Sequence, residues 1–211
     1  MQAENFNKII SKYKNIIFDY GGIFVDIDYQ NTTNILKSLS SSDIVDELYS
    51  KHSQIEFFSQ FETGKISADV FLQNLCEQLG IDSSKKIDLK AAWNAMLFDI
   101  KKERINYLKE IKKTKRIFML SNINSIHEEH LENYIQENNI SDFYNLFEKV
   151  YFSHHIGLRK PNPEIFELVL KENNLLKEET LFIDDSIQHI NSANEIGIHA
   201  IHLDPPNTFI C

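Results

Sequence analysis

Cysteine is scarce in this chain, with only Cys76 and Cys211 present. A disulfide framework or a cysteine-rich zinc site needs more cysteines at closer spacing, so neither organises this fold. Cys76 falls on the apolar side of a helical pattern and is expected to be a small core residue. Long apolar runs are also missing. No stretch approaches the roughly 20 residues of a membrane span, and Met1–Tyr13 is polar without a leader-like apolar core. A cytoplasmic protein with no membrane partner is the expectation. Basic residues are outnumbered, with 22 Lys and Arg against 31 Asp and Glu and a formal net charge of -9. That balance argues against an extended nucleic-acid partner and leaves room for a local basic pocket that holds a phosphate. Internal repeats and low-complexity tracts are absent. What remains is an ordinary globular composition, 42% hydrophobic and 25% charged, in 211 residues. That length holds one α/β domain with an inserted subdomain.

Five short apolar runs read as strands: Asn15–Asp19, Arg116–Ser121, Lys149–Phe152, Thr180–Asp184 and His199–Leu203. They are dense in Ile, Phe, Val and Leu and do not alternate, the pattern of a parallel sheet covered by helices on both faces. The first, second and fourth end in Asp19, Ser121 and Asp184. These residues would meet at the carboxyl edge of a doubly wound sheet, where open α/β folds place their ligands. Gly21 and Gly22 then open a tight turn after Asp19. Asn162-Pro163-Glu164 is a helix start with proline at the first helical position, followed by the stripe Ile165, Phe166, Val169 and Leu170. A further helix over Ser186–Ile196 can end at Gly197.

The segment from about Tyr29 to Ile100 shows no comparable strand. Phe71, Leu72, Leu75, Cys76 and Leu79 repeat with helical period and stop at Gly80. Leu89, Ala92, Trp93, Met96, Leu97 and Ile100 repeat in the same way. An insert of roughly seventy residues is too long for an ordinary crossover and long enough for a small helical bundle. Placed directly after the Asp19 turn, it can cover the site as a lid.

In chain order the polar groups at these ends are Asp19, Ser121, Lys160 and the pair Asp184-Asp185. A carboxylate can attack phosphorus, and a hydroxyl and an ammonium can hold the non-bridging oxygens. Adjacent carboxylates repel unless a hard cation sits between them, and Mg²⁺ suits so oxygen-rich a set. Singly, each residue has a plainer role. Asp19 can satisfy turn amides, Ser121, Asp185 and Ser186 can cap helices, and Lys160 can be a solvated surface lysine. Jointly those roles must coincide four times in one order, which favours the phosphoryl-transfer reading.

The motifs Asp19-Tyr20-Gly21-Gly22-Ile23, Leu120-Ser121-Asn122, Arg159-Lys160-Pro161-Asn162-Pro163 and Asp184-Asp185-Ser186, with Ala193 and Gly197 beyond, resemble those of the haloacid dehalogenase superfamily over nearly the whole chain. The resemblance implies a Rossmann-like α/β core of residues 1–28 and 101–211 and an α-helical cap of residues 29–100. It implies Asp19 as nucleophile, Ser121 and Lys160 as phosphate holders with Asn122 beside them, and Mg²⁺ held by Asp19, Asp184, Asp185 and the Gly21 carbonyl. The expected activity is a Mg²⁺-dependent phosphatase that hydrolyses a small phosphorylated metabolite through an aspartyl phosphate. Asp19–Asp28, Phe61–Ser67 and Gly157–Pro161 are similar to the sugar-phosphatase branch that includes α-D-glucose-1-phosphate phosphatase, which suggests a sugar phosphate.

One departure matters. Most phosphatases of the superfamily carry an acid-base aspartate where this chain has Gly21. Its loss typically costs about 10²- to 10⁴-fold in rate. Either a neighbour such as Asp26 or Asp28 substitutes, or the leaving group needs little protonation, as an anomeric sugar oxygen would. Asp28 can equally start the next helix. Glu62 can hydrogen-bond a substrate hydroxyl or pair with Lys65, Arg159 can reach substrate or only flank Lys160, and His154-His155 lack a third ligand at sequence spacing. Alternatives are a phospho-ligand-binding protein without turnover, a phosphonatase using Lys51 or Lys65, or a dehalogenase. A dehalogenase uses no metal and would leave Asp184-Asp185 unexplained.

Overall fold

The computed structural model describes residues 3–51 and 56–203. Five strands form one parallel sheet: β1 (Asn15–Phe18), β4 (Arg116–Ser121), β5 (Lys149–Phe152), β6 (Thr180–Asp184) and β7 (His199–His202), in the order β5-β4-β1-β6-β7. All five expected strands are present to within a residue at each end. β1 is central, and its Phe18 pairs with Met119 of β4 on one side and with Ile183 of β6 on the other. The chain therefore leaves β1 at the point where the strand order turns, and a crevice opens beyond the carboxyl ends.

Both faces of the sheet are covered. Ile16 and Phe18 pack with Phe6 of α1 (Ala3–Ile10), Leu108 of α7 (Lys102–Ile111) and Leu131 of α8 (Ser125–Glu137). Ile17, Phe118 and Phe182 face the other way, onto Phe166 and Val169 of α10 (Pro163–Asn173) and Ala193 of α11 (Ile187–Glu195). Successive residues of one strand thus enter different cores, which explains the lack of apolar-polar alternation. α10 has Pro163 at its start, and Gly197 follows α11 with φ of 90°.

Among the described residues, five α-helices follow the turn after β1: α2 (Tyr29–Leu39), α3 (Ser42–Lys51), α4 (Glu56–Glu62), α5 (Ala68–Leu79) and α6 (Lys86–Asn94). They share a separate apolar cluster of Leu36, Phe58, Phe61, Phe71, Leu75 and Leu89, in which Cys76 is buried. Gly80 ends α5 in the left-handed conformation. Ile126 at the start of α8 belongs to the same cluster and ties these helices to the sheet layer. No described helix is long and apolar enough to cross a membrane.

The sequence pattern misleads at one place. Leu97 and Ile100, which continue the helical stripe of Leu89 to Met96, lie beyond the end of α6 in a short strand, β3 (Leu97–Ile100). It pairs antiparallel with β2 (Val25–Ile27), Val25 opposite Ile100 and Ile27 opposite Leu97. The register shifts between Val25 and Ile27, so the regular two-residue period that marks a strand is broken.

β2 also carries Asp26, whose carboxylate accepts from Arg104 Nη2 at 2.7 Å and pairs with Lys101. Arg104 is 2% exposed. Replacing Asp26 with Asn leaves that guanidinium buried without its counter-charge. Asp26 is itself 41% exposed, so the expected loss is about 1–3 kcal/mol, below the 3–5 of a fully buried pair. An unchanged urea midpoint for Asp26→Asn would show that the pair contributes nothing.

Candidate active site

The centre of the site is a lysine with no exposed surface. Lys160 Nζ lies 3.0 Å from Asp19 Oδ1 and 2.6 Å from Asp184 Oδ2. Asp19 leaves the end of β1, and its N–H donates to the Ile183 carbonyl at 2.9 Å. Its Oδ1 also accepts from the Tyr20 N–H at 2.7 Å. That leaves Oδ2 as the oxygen to face a reactant. Asp184 ends β6, and its carboxylate is fully engaged by Lys160, by the Ser186 N–H at 2.7 Å and by His189 Nδ1 at 2.9 and 3.0 Å. Asn122 fixes the lysine from behind. Its Oδ1 accepts from the Lys160 N–H at 2.9 Å and its Nδ2 donates to the Lys160 carbonyl at 2.8 Å. The Asn122 side chain is thereby occupied, which makes it a positioning residue before it is a substrate ligand.

Charge is unevenly compensated here. Burial pulls the Lys160 ammonium down, but Asp184 and Asp19 more than reverse this and its pKa rises. Burial would raise Asp184, yet Lys160 and His189 hold it well below the usual carboxylate range. Asp19 is pushed up to about 6, chiefly by burial, with Lys160 opposing and Asp184 adding to the rise. Asp185 is pushed up to about 7 by burial and by the charges of Asp19 and Asp184. No cationic side chain among the described residues pairs with the Asp185 carboxylate.

Two acids held near neutral pKa, chiefly by burial and then by neighbouring carboxylates, fit a hard dication. Asp19 and Asp185, with the Gly21 carbonyl from the turn after β1, would be the oxygen donors for it. Asp184 contributes less directly, because its oxygens already serve Lys160 and His189. Its nearest atoms and those of Asp19 and His189 nonetheless lie within 4.8 Å of one another. Gly22 makes the close approach possible. It sits at φ of 68°, and a Cβ there would collide with the Asp185 carboxylate.

Next to these groups lies a cavity of about 510 Å³. Tyr20, Gly21, Ser121 and Asn122 line it from the sheet edge, and Phe58, Phe61, Trp93 and Met96 form an apolar wall from the helical insert. Two contacts span from insert to sheet layer across it. Arg159 Nη1 lies 2.7 Å from Glu62 Oε2. The His127 ring stacks on Trp93 with centroids 5.8 Å apart at 16°. His127 Nε2 donates to the Trp93 carbonyl at 3.1 Å while Nδ1 accepts from Asn124 Nδ2 at 3.3 Å. That network assigns the neutral tautomer, and burial lowers the imidazole to about 4.

Glu62 therefore pairs with Arg159 and not with Lys65, and both line the cavity. Asp26 and Asp28 do not. Ile27 faces the cavity, so its neighbour Asp26 points to the other side of β2, toward Arg104. Asp28 caps α2, accepting from the Gln30 N–H at 2.9 Å. The expected replacement of the missing acid by either residue is not supported. Ser186 precedes α11 without a side-chain cap bond. Lys65 is exposed, as a Schiff-base lysine would not be, and the Lys51 side chain lies outside the described residues. His154 and His155 lie in a short helix, α9 (Ser153–Ile156), and have a third partner in Glu128. His189 and His127 escaped the sequence reading, although a histidine one turn after the Asp184-Asp185 strand end was a usable signal.

A parallel sheet with helices on both faces and a buried acid–lysine–acid cluster at its carboxyl edge is an open, Rossmann-like α/β fold with its polar groups where such folds place their ligands. The profile of the haloacid dehalogenase-like hydrolases matches residues 16–203, and the chain belongs to that family. It is 30% identical over 187 residues to a D-ribitol-5-phosphate phosphatase of Bacteroides thetaiotaomicron, covering 87% of this chain and 88% of that one. It is 28% identical over 203 residues to a sesquiterpene phosphatase of Aspergillus oryzae, covering 90% of each. A crystal structure of a family enzyme from Bacteroides thetaiotaomicron superposes with a TM-score of 0.82 at 28% identity, over 92% of this chain and 95% of that one. The wild-type form of that enzyme in complex with magnesium and inorganic phosphate gives a TM-score of 0.76 at 27% identity, over 92% and 96%.

A dication binding at Asp19 and Asp185 must displace their protons. Mg²⁺ affinity is therefore expected to tighten as pH rises through about 6 and about 7 and to level off above. Both groups hold protons more tightly folded than unfolded. The metal-free protein accordingly gains relative stability from them as pH falls from about 7 toward 3.8. Calorimetric titration with Mg²⁺ at several pH values checks this, and a pH-independent affinity would rule it out.

Proposed function

We propose that this protein is a Mg²⁺-dependent phosphatase acting on a small phosphorylated metabolite of sugar or polyol type. The observation that carries the reading is the Asp19–Lys160–Asp184 arrangement with Asp185 beside it, next to a cavity whose lining includes their neighbours Tyr20, Gly21, Ser121 and Asn122 and an aromatic wall. The phosphatase relatives and the magnesium-phosphate complex of a similar enzyme support it. The division into a core of residues 1–28 and 101–211 and a cap of 29–100 belongs to the same reading. The cap's aromatic wall and Glu62 would meet the metabolite's body.

Asp19 Oδ2 attacks phosphorus, a P–O bond to aspartate forms, and the ester oxygen leaves with its electron pair. Lys160 holds Asp19 in line and offsets charge on the non-bridging oxygens, which the Ser121 hydroxyl also receives. Water then attacks phosphorus and returns Asp19 and inorganic phosphate. Bound at Asp19, Asp185 and the Gly21 carbonyl, Mg²⁺ would supply electrostatic shielding that lets an anionic phosphate approach a carboxylate. Gly21 provides no proton to the leaving oxygen, and Asp26 and Asp28 are engaged elsewhere. Substrates with an acidic leaving oxygen, such as an anomeric phosphate, suit this site best. The same observation favours a second reading, a binding protein that holds phosphorylated ligands without turnover.

Phosphate release from a panel of sugar, polyol and aryl phosphates, with and without Mg²⁺, separates the two readings. Turnover that requires Mg²⁺ and disappears in Asp19→Asn is expected. Tight Mg²⁺ binding with no release from any substrate would leave the binding protein.

Gly21 can be tested by restoring the acid. A Cβ there comes within 2.6 Å of Ile27 Cδ1, the movable end of a side chain, at a φ open to any residue. Gly21→Asp combined with Ile27→Val is expected to raise kcat on alkyl phosphates by about 10²-fold and to change aryl phosphates little. Equal effects on both classes would show that protonation of the leaving group is not what the native site lacks.

A further inference from the structure

Away from the Asp19–Lys160–Asp184 arrangement, Glu128 of α8 and the pair His154 and His155 of α9 bring three ligand atoms within 4.8 Å of one another. Glu128 Oε2 lies 2.9 Å from His154 Nε2 and 3.0 Å from His155 Nε2. His154 is held from its far side, with Nδ1 2.6 Å from the Ile123 carbonyl. A carbonyl only accepts, so Nδ1 carries a proton, and a ring with no second proton would direct its Nε2 lone pair at a carboxylate oxygen. Two lone pairs at 2.9 Å need a positive particle between them, either a second proton on the ring or a cation. His155 aims a second imidazole nitrogen at the same oxygen.

We propose that Glu128, His154 and His155 form a binding site for a first-row transition-metal dication of the Zn²⁺ type, separate from the Asp19–Asp185 site. Two imidazoles and one carboxylate are the donors such ions prefer over Mg²⁺. The Ile123 carbonyl behind His154 is the outer partner that ligating histidines generally have, and it fixes the ring and its tautomer. With bonds of about 2.0–2.2 Å, tetrahedral ligands stand about 3.3 Å apart. The site must open by a few tenths of an ångström, which His155, 55% exposed on its side chain, can supply.

A further polar atom points to the same place. The Tyr144 hydroxyl is buried with no hydrogen-bond partner among the described residues, and its pKa is raised by burial first and then by the charges of Glu128 and Glu132. Its neighbour Phe152 is stacked against the His154 ring at 6.1 Å. A metal at Glu128 with an open fourth position gives this hydroxyl a ligand or water to meet.

The site would act as a clip. Ile123 directly continues the loop that carries Ser121 and Asn122. On the other side, Gly64, just after α4, packs its Cα against the His154 carbonyl at a φ of 67° that leaves no room for a side chain. A metal here fixes the phosphate loop and the base of the helical insert together.

The test is Zn²⁺ and Co²⁺ titration of the full chain in excess Mg²⁺, read by calorimetry, by the visible spectrum of four-coordinate Co²⁺ and by thermal melting. One equivalent, a histidine-ligated Co²⁺ spectrum and a raised Tm are expected. His155→Ala and Glu128→Gln, each checked for native circular dichroism, should weaken binding by at least 10- to 100-fold, and Asp19→Asn should not. Binding undiminished in both clip variants would be adventitious and would overturn the proposal. So would binding lost in Asp19→Asn, or no binding, which would leave a protonated histidine clamp.

Discussion

A buried ammonium between two carboxylates sets the terms for everything around it. Lys160 has no contact with water, so its charge must be neutralised in place, and Asp19 and Asp184 do this from the ends of two adjacent strand positions. That requirement fixes the register of β1 against β6 and the path of the loop leading into α10. It also explains the Asn122 bonds to the lysine main chain, which keep the loop from drifting. Lys160 pairs with Asp19 and Asp184 and His189 with Asp184, which leaves Asp185 without an ion pair among the described residues. A divalent ion bound there would follow from how Lys160 is buried.

The helical insert meets the sheet layer through contacts of a different kind. Ile126 enters the insert's apolar cluster, Trp93 stacks on His127, and Arg159 reaches Glu62. The first two are held by apolar burial and a locked tautomer, and neither involves net charge. The third is about one-third exposed on each side chain, so water partly screens it.

Much of this was legible in the residues. The five sheet strands could be placed because each is buried on both faces and so reads as an unbroken apolar run, and Asp19, Ser121 and Asp184 then follow as strand ends. β2 and β3 could not, since a shifted register erased the period that identifies strands and let Leu97 and Ile100 pass for a helical stripe. Asp26 looked near the site by sequence distance alone, but strand alternation turns it away once Ile27 faces inward. His127 and Glu128 meet partners 34 and 26 residues distant, which no local pattern encodes, whereas His189 lies only five residues from Asp184 and could have been read.

The neutral His127 and the opposite charges of Glu62 and Arg159 put little net charge on the insert side of the cavity, while the acids gather at the strand ends behind Gly21, Ser121 and Asn122. The two ends of the cavity are therefore electrically unlike, and a molecule with one ionic end and an uncharged body would find its two orientations there unequal in energy.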